Sequence, residues 1–546
     1  MRKHILIWGV LLLHCTCIFA KEDPYFAIAK NLDIFNAIVK ELQLHYVDTI
    51  PINKIVTSGI NGMLQTLDPY TNYIPSENSK DFKLLTTGEY GGIGSLISSS
   101  DDQVLVSEIY EGMPAHKAGI LPGDIILEID GKSVKGKSTT EVSSMLRGIP
   151  GTMVSIKVQR IGQKRPVIFN ITREIIYLNP VTYADMVADS IAYIRLDKFT
   201  DNCTSEIKNA LSQLQTEGMK SLILDLRSNP GGILNEAIQT SNLFVPKGET
   251  IVTTRGKGGK LDRVYKTAVT PQYPDLPLVV LVDGGSASAS EIVAGAMQDL
   301  DRAVIVGSRT FGKGLVQGTF PVSYDGQLKV TIAKYYIPSG RCIQAIRYTT
   351  KDGETPEQIP DSLTSEFTTR HGRKVRDGRG VTPDIAVKAD TGLAITYELI
   401  SENCLFDYAN TYYQQHEHIA PLDEFQLTDE DFEDFKQFVQ QQEFKYTTET
   451  DYSFERLIET AQKDHVYDAN KEAFDALKTA LDHQLMNDLD QGKSEIMEFL
   501  SAEIAKRYYF QQGEIHIMLQ SDSVLKQAIE LISDPERMQK ILSVNP

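Results

Sequence analysis

The chain has little of what would make it a disulfide scaffold, a zinc protein or a membrane protein. Of its 546 residues five are Cys, and only Cys203, Cys342 and Cys404 lie beyond residue 20. These three are scattered, odd in number and without C-x-x-C spacing, which argues against a disulfide framework. No H-E-x-x-H and no paired Cys/His cluster occurs, so no zinc site is expected. The single Trp, Trp8, falls in the first twenty residues. The apolar run Ile5–Leu13 is too short to cross a bilayer comfortably. An excess of basic charge is missing too: the net charge is −18, and residues 391–546 hold 31 acidic against 12 basic side chains. The rest is close to neutral, and nucleic acid is excluded as a partner on these grounds. With 41% hydrophobic and 23% charged residues, the bulk of the chain reads as soluble and globular. Its length calls for two to four domains.

What is present is ordered along the chain. Arg2 and Lys3, the apolar Ile5–Leu13, and Ala20 before Lys21 follow the order of a secretory signal peptide. Residues 1–20 are therefore expected to be removed, and the protein exported to the periplasm or cell envelope. Cys15 and Cys17 lack a good lipidation box, so membrane association is not indicated. Residues 25–66 carry apolar side chains at helical spacing and end in Leu67-Asp68-Pro69-Tyr70, a turn. Residues 88–173 read as short strands separated by glycines, with one amphipathic helix, Thr139–Leu146. Between 174 and 390 apolar strands at 221–226, 278–282 and 303–306 alternate with helices near 233–244 and 290–299, an α/β pattern. Residues 391–546 are helical, and no repeat appears.

Two stretches carry candidate chemistry. In Gly284-Gly285-Ser286-Ala287-Ser288-Ala289-Ser290-Glu291 a strand runs into a serine-rich turn and then a helix. A serine there sits where backbone N–H groups favour developing negative charge. The plain alternative is a helix cap, since Ser288 and Glu291 spell the S-x-x-E capping box. The second stretch, Gly307-Ser308-Arg309-Thr310-Phe311-Gly312-Lys313-Gly314, nearly spells a phosphate-binding P-loop. Gly314 stands where the magnesium-binding hydroxyl belongs, and Leu315–Tyr324 reads as extended chain rather than helix. No histidine lies in these motifs, and His371, the nearest in this region, has no matching partner pattern. A lysine can activate a serine only when its amine is neutral. Reaching that state near pH 7 takes a lowering of about three pH units from roughly 10.4, worth about 4 kcal/mol. Phe311, Leu315 and Val316 are available to bury it, with Gly307 and Gly312 letting the backbone turn tightly. Asn229-Pro230-Gly231-Gly232, after a strand, is a turn able to aim N–H groups at an oxyanion.

Residues 88–173 resemble a PDZ domain. Glu89-Tyr90-Gly91-Gly92-Ile93-Gly94 looks like the loop that captures a peptide carboxylate, and Gly112-Met113-Pro114-Ala115 and Ala118–Asp124 also fit. Ser286–Glu291 followed by Phe311–Gln317 resembles the signature of the carboxy-terminal processing peptidases, with the same 25-residue step from Ser288 to Lys313 and four more to Gln317. The likeness covers about residues 25–390. It implies a Ser288 nucleophile, a Lys313 general base, Gln317 orienting the lysine, and an oxyanion hole from Ala289 with Gly231 or Gly232. It also implies a peptide-binding loop at Tyr90, Gly91, Gly92, Ile93 and Gly94, and no metal or organic cofactor. Motif alignment alone separates Ser288 from Ser286 and Ser290. The expected fold is multidomain α+β: signal peptide 1–20, helical segment 21–86, PDZ-like module 87–173, a crotonase-like α/β peptidase core 174–390, and an acidic helical extension 391–546 without an assigned role. Partners are protein or peptide substrates held by their C-termini; homo-oligomers are left open.

Overall fold

A computed structural model describes residues 23–76, 87–100, 102–348, 357–388, 392–481 and 483–543; the proposed signal peptide lies outside them. The chain divides into two compact units, residues 1–73 and 74–546.

The first unit is helical. Helix α1 (Pro24–His45) starts on Asp23, whose carboxylate accepts from the Tyr25 N–H at 3.1 Å, with Pro24 at the first helical position. Helix α2 (Ile52–Gln65) follows. Asp68 accepts from the N–H groups of Tyr70 (2.9 Å) and Thr71 (2.8 Å), which makes the Leu67-Asp68-Pro69-Tyr70 turn an Asx-type turn.

The second unit begins with a β-rich module. Its strands β1 (Glu89–Gly92), β2 (Ser95–Ser100), β3 (Gln103–Ile109), β4 (Ile125–Ile129), β5 (Met153–Gln159), β6 (Val167–Thr172) and β7 (Glu174–Tyr177) frame a short helix at Pro114–Ala118 and a longer one, α3 (Thr139–Leu146). Strands β2 to β6 form an antiparallel sheet in chain order, with β4 paired to β5. Val154, Ile156 and Val158 are buried at every second position of β5 and join Val104, Val106 and Ile126 in one core. Glu89–Gly92 differs from the loop expected: it is a strand, paired antiparallel with β7. Gly91 is needed there for close approach rather than for a turn, because a Cβ would collide with the Gly148 carbonyl. Only Ile93 and Gly94, the latter at φ +75°, turn the chain into β2.

The core is a mixed six-stranded sheet of β8 (Val181–Ala188), β9 (Ile191–Leu196), β10 (Ser221–Asp225), β13 (Leu278–Val282), β14 (Val304–Gly307) and β17 (Ile385–Ala386), parallel from β9 onward. The intervening strands β11 (Thr250–Gly256), β12 (Arg263–Lys266), β15 (Leu315–Pro321) and β16 (Gln327–Tyr336) pair in a second sheet, which the sequence reading did not contain. Every residue of β10 and β13 is buried, as a parallel sheet covered on both faces requires. One face, with Ile194, Leu224, Val280 and Ile305, packs on helices α4 (Cys203–Thr216), α5 (Leu234–Ser241) and α6 (Ala289–Asp299). The other face, with Tyr193, Ile223, Val279 and Val304, is covered by Ile515, Leu525, Ala528, Leu531 and Met538. The C-terminal helices therefore supply the second cover of the core sheet. Among them are α7 (Cys404–Gln415), α8 (Lys493–Ser521) and α9 (Ser523–Ile532). They also reach the β-rich module, where Lys506 pairs with Glu108 at 3.3 Å and the Phe510 ring meets His116 at 4.9 Å. Among the described residues no helix is long and apolar enough to cross a membrane.

Candidate active site

Two turns at the ends of neighbouring strands build the site. After β10, residues 226–232 form the first; after β13, residues 283–288 form the second and deliver the chain into α6. They are stitched by backbone and hydroxyl groups. Asn229 O accepts from the Ala287 N–H (2.9 Å) and from Ser290 Oγ (2.9 Å). Ser286 Oγ donates to Leu226 O at 2.7 Å. Ser286 and Ser290 are both fully buried and spend their hydroxyl hydrogens on these carbonyls, whereas Ser288 is partly exposed. The three neighbouring serines thus differ in burial and in hydrogen bonding, not only in their place in the motif.

Ser288 precedes α6 at φ +55°, ψ −110°. That lies outside the extended region used by ordinary N-caps, and such backbone costs on the order of 1–3 kcal/mol unless the surroundings enforce it. The enforcement is visible. Gly231, at φ +92°, lies so close that a Cβ there would be 2.5 Å from Ala287 O, 2.7 Å from Ala289 N and 2.9 Å from Ser288 Cβ. Ala289 N–H is the first of the helix and has no acceptor within it. In the glycine turn the Gly231 N–H is already given to Asn229 Oδ1 (2.9 Å), and the Ile233 N–H to Phe199 O (2.8 Å). In this parallel bridge of Phe199 to Gly232 the Gly232 N–H points away from Phe199.

The lysine loop, residues 308–314, closes on the same place. Phe311 N–H donates to Ser286 O at 3.0 Å. The main joint is Glu291, one turn into α6 and fully buried. Its Oε2 accepts from the N–H groups of Ser288 (2.8 Å) and Lys313 (2.9 Å); its Oε1 accepts from Thr310 Oγ1 (2.6 Å) and the Gly312 N–H (2.7 Å). Burial pushes this carboxyl up to about 7, while the bonds from Thr310, Lys313, Ser288 and Gly312 pull it down. Glu291 was legible as half of a capping box; its hold on the lysine loop was not. Lys313 continues into strand β15, which rules out the strand–loop–helix of a P-loop. Leu315, two residues on, is buried, whereas Phe311 is 47% exposed. Gln317 lies at a bulge of β15, its amide donating to Thr331 Oγ1 at 3.2 Å. His371 bonds the Leu542 carbonyl through Nδ1 (2.8 Å) and has no part in this cluster.

Tyr90 and Ile93 lie elsewhere, at a groove of about 440 Å³ between β2 and α3, with Ile97, Ser143 and Leu146 on its walls. Arg147 follows α3 and places its guanidinium 5.3 Å from the centre of the Tyr90 ring. A strand edge beside a helix groove, with a cation at one end, suits an extended peptide ending in a carboxylate. Among the described residues no three His, Cys, Asp or Glu side chains gather as a metal would require.

A serine at a strained helix start beside a glycine turn, in a chain with a PDZ-type groove, defines a serine-type peptidase. Comparison with known proteins agrees. Residues 190–355 match Peptidase family S41, residues 105–160 the PDZ domain, and residues 395–532 the "Probable PDZ-protease, C-terminal helical domain". The carboxy-terminal-processing protease of Bartonella bacilliformis is 40% identical over 350 residues, covering 63% of this chain and 78% of that protein. A "Probable CtpA-like serine protease" of Staphylococcus aureus is 36% identical over 315 residues, covering 57% of this chain and 62% of that one. Among solved structures, the photosystem II D1 C-terminal processing protease is 27% identical, with coverage of 64% of this chain and 86% of that chain and a TM-score of 0.35. The chain belongs to the carboxy-terminal-processing proteases of peptidase family S41.

Proposed function

We propose that this protease is exported and cleaves other exported proteins near their C-termini, in the periplasm or cell envelope. Its boundaries fall near residues 20, 86, 173 and 390. The substrate tail lies along β2 with its carboxylate at Tyr90–Gly94, and its upstream chain reaches Ser288. There Ser288 Oγ attacks the scissile carbonyl carbon while its proton passes to the neutral amine of Lys313, which Gln317 orients. The oxyanion is received by the N–H groups of Ala289 and Gly232, and Gly231 provides the clearance beside Ser288. The C–N bond breaks, Lys313 returns the proton to the leaving amine, and an ester to Ser288 remains. Water then attacks the ester carbonyl carbon, giving a proton to Lys313; the acyl C–Oγ bond breaks, Lys313 returns the proton to Ser288 Oγ, and the carboxylic acid product leaves. No metal or organic cofactor enters these steps.

The observation that carries the reading is the joint at Glu291: one buried carboxylate oxygen accepts from the backbones of both Ser288 and Lys313. The test incubates the mature protein, Ser288→Ala and Lys313→Ala with an unfolded protein ending in an apolar tail and reads fragments by mass spectrometry. Cleavage by the wild type alone, with tail binding kept in both variants, is the expected result. Persistent cleavage by either variant would remove that residue from the mechanism.

A further inference from the structure

Glu291 holds the nucleophile and the base by their N–H groups; the carbonyls of the same two residues converge as well. Tyr335, on β16, is 1% exposed, and its ring is embedded in the main core. Its hydroxyl lies within hydrogen-bonding reach of Ser288 O at 3.1 Å and bonds Lys313 O more closely still. A phenol has one hydrogen to give. Lys313 O, the nearer acceptor, takes the larger share of that hydrogen; Ser288 O, which accepts from the Ile292 N–H at 2.9 Å within the first turn of α6, takes the weaker share through its second lone pair. The backbone of the same tyrosine also donates to Gly314 O at 3.0 Å. Strand β16 thus grips the lysine loop twice, once through the backbone and once through a side chain that also touches the serine turn.

We infer that Tyr335 is a positioning residue for peptide hydrolysis, setting the Lys313 backbone relative to that of Ser288 from the side opposite Glu291. The inference rests on the Ser288–Lys313 reading above. Lysine carries its amine on a flexible four-carbon stem, so the reach from amine to hydroxyl is fixed only as well as the two backbones are. Two clamps, one on the N–H groups and one on the carbonyls, leave the peptide units on either side of Ser288 and Lys313 little freedom to rotate. Proton transfer needs the two side-chain atoms within hydrogen-bond reach, and a small displacement far from substrate contacts is enough to slow it.

The deciding variant is Tyr335→Phe in the full mature chain, which keeps the ring and removes one oxygen. The matched control is Tyr408→Phe, a buried tyrosine of α7 whose hydroxyl donates to Asp431 O at 3.1 Å. Steady-state cleavage of a peptide with an apolar tail would be measured for both, with near-ultraviolet circular dichroism to give the folded fraction. The expected result is a 10- to 100-fold lower kcat for Tyr335→Phe at unchanged KM and full folding, with kcat unchanged in Tyr408→Phe. A kcat within twofold of wild type, or a loss that merely tracks the unfolded fraction, would overturn the inference. Ser288→Ala and Lys313→Ala are assayed alongside. If either still cleaves, the Ser-Lys reading fails and the inference with it; if both are dead and Tyr335→Phe has wild-type kcat, the inference alone fails.

Discussion

The same four-letter pattern, serine followed three residues later by glutamate, starts two helices of this chain and does different work in each. At Ser138-Thr139-Thr140-Glu141 the backbone is extended (φ −68°, ψ 156°), and serine and glutamate bond each other's backbones at the surface. The Glu141 carboxyl is held below the usual carboxylate range, chiefly by the Ser138 backbone bond. At Ser288-Ala289-Ser290-Glu291 the serine backbone is left-handed and the glutamate fully buried, pushed up to about 7 by burial. Three of the four donors on Glu291 come from outside the pattern or from the loop 19 to 22 residues further on. A capping box therefore says where a helix begins; whether it is also a site depends on what the rest of the fold brings to it.

Four experiments sharpen or break that contrast. Ser288→Ala should lower kcat/KM by on the order of 10⁴-fold or more, measured by fragment yield, whereas Ser138→Ala should leave kcat intact. Gly231→Ala should reduce kcat/KM by about 10²-fold or more, because the added Cβ disturbs the backbone donors beside Ser288; full activity would separate the glycine turn from the chemistry. Glu291→Gln leaves one acceptor oxygen for four donors and sets an NH₂ against the others. It should lower stability by about 2 kcal/mol in urea unfolding and depress kcat, while Glu141→Gln leaves kcat unchanged. The pH dependence has a defined sign. A carboxyl raised by folding is protonated in the folded protein where the unfolded chain has ionised, so its contribution falls as pH rises from about 4.5 to about 7. That loss amounts to roughly 3 kcal/mol at most, and the difference between wild type and Glu291→Gln at pH 5 and pH 8 measures it. Over the same interval kcat should climb, since the clamp accepts four bonds only when ionised. The smallest effect is the stability cost of Ser138→Ala, about 1 kcal/mol.

Much of this arrangement was legible because the informative residues are neighbours in sequence. Apolar runs such as Leu278–Val282 announced buried strands, and Ser288 and Lys313 stood in recognisable stretches. What stayed hidden depends on long-range contact. Tyr335 is one of two adjacent tyrosines in a strand, and nothing local says that its hydroxyl reaches residues 288 and 313. Residues 391–546 read as an acidic helical extension without an assigned role, but which surface such helices cover is not encoded in their own sequence. One physical clue was available: a strand buried on both faces needs two covers, and the helices between the core strands supply only one.

The Glu291 joint bears on how such an enzyme is made. Its bonds require Thr310, whose own hydroxyl accepts from the Val381 N–H at 2.7 Å, and among the described residues Ile515, Leu525, Ala528, Leu531 and Met538 pack on the opposite face of the sheet. During synthesis Ser288 leaves the ribosome long before any of these exist. A chain released early carries Ser288 and Lys313 but not the Glu291 joint between them. On the Ser-Lys reading proposed above, proteolytic competence is thereby postponed to the completed fold.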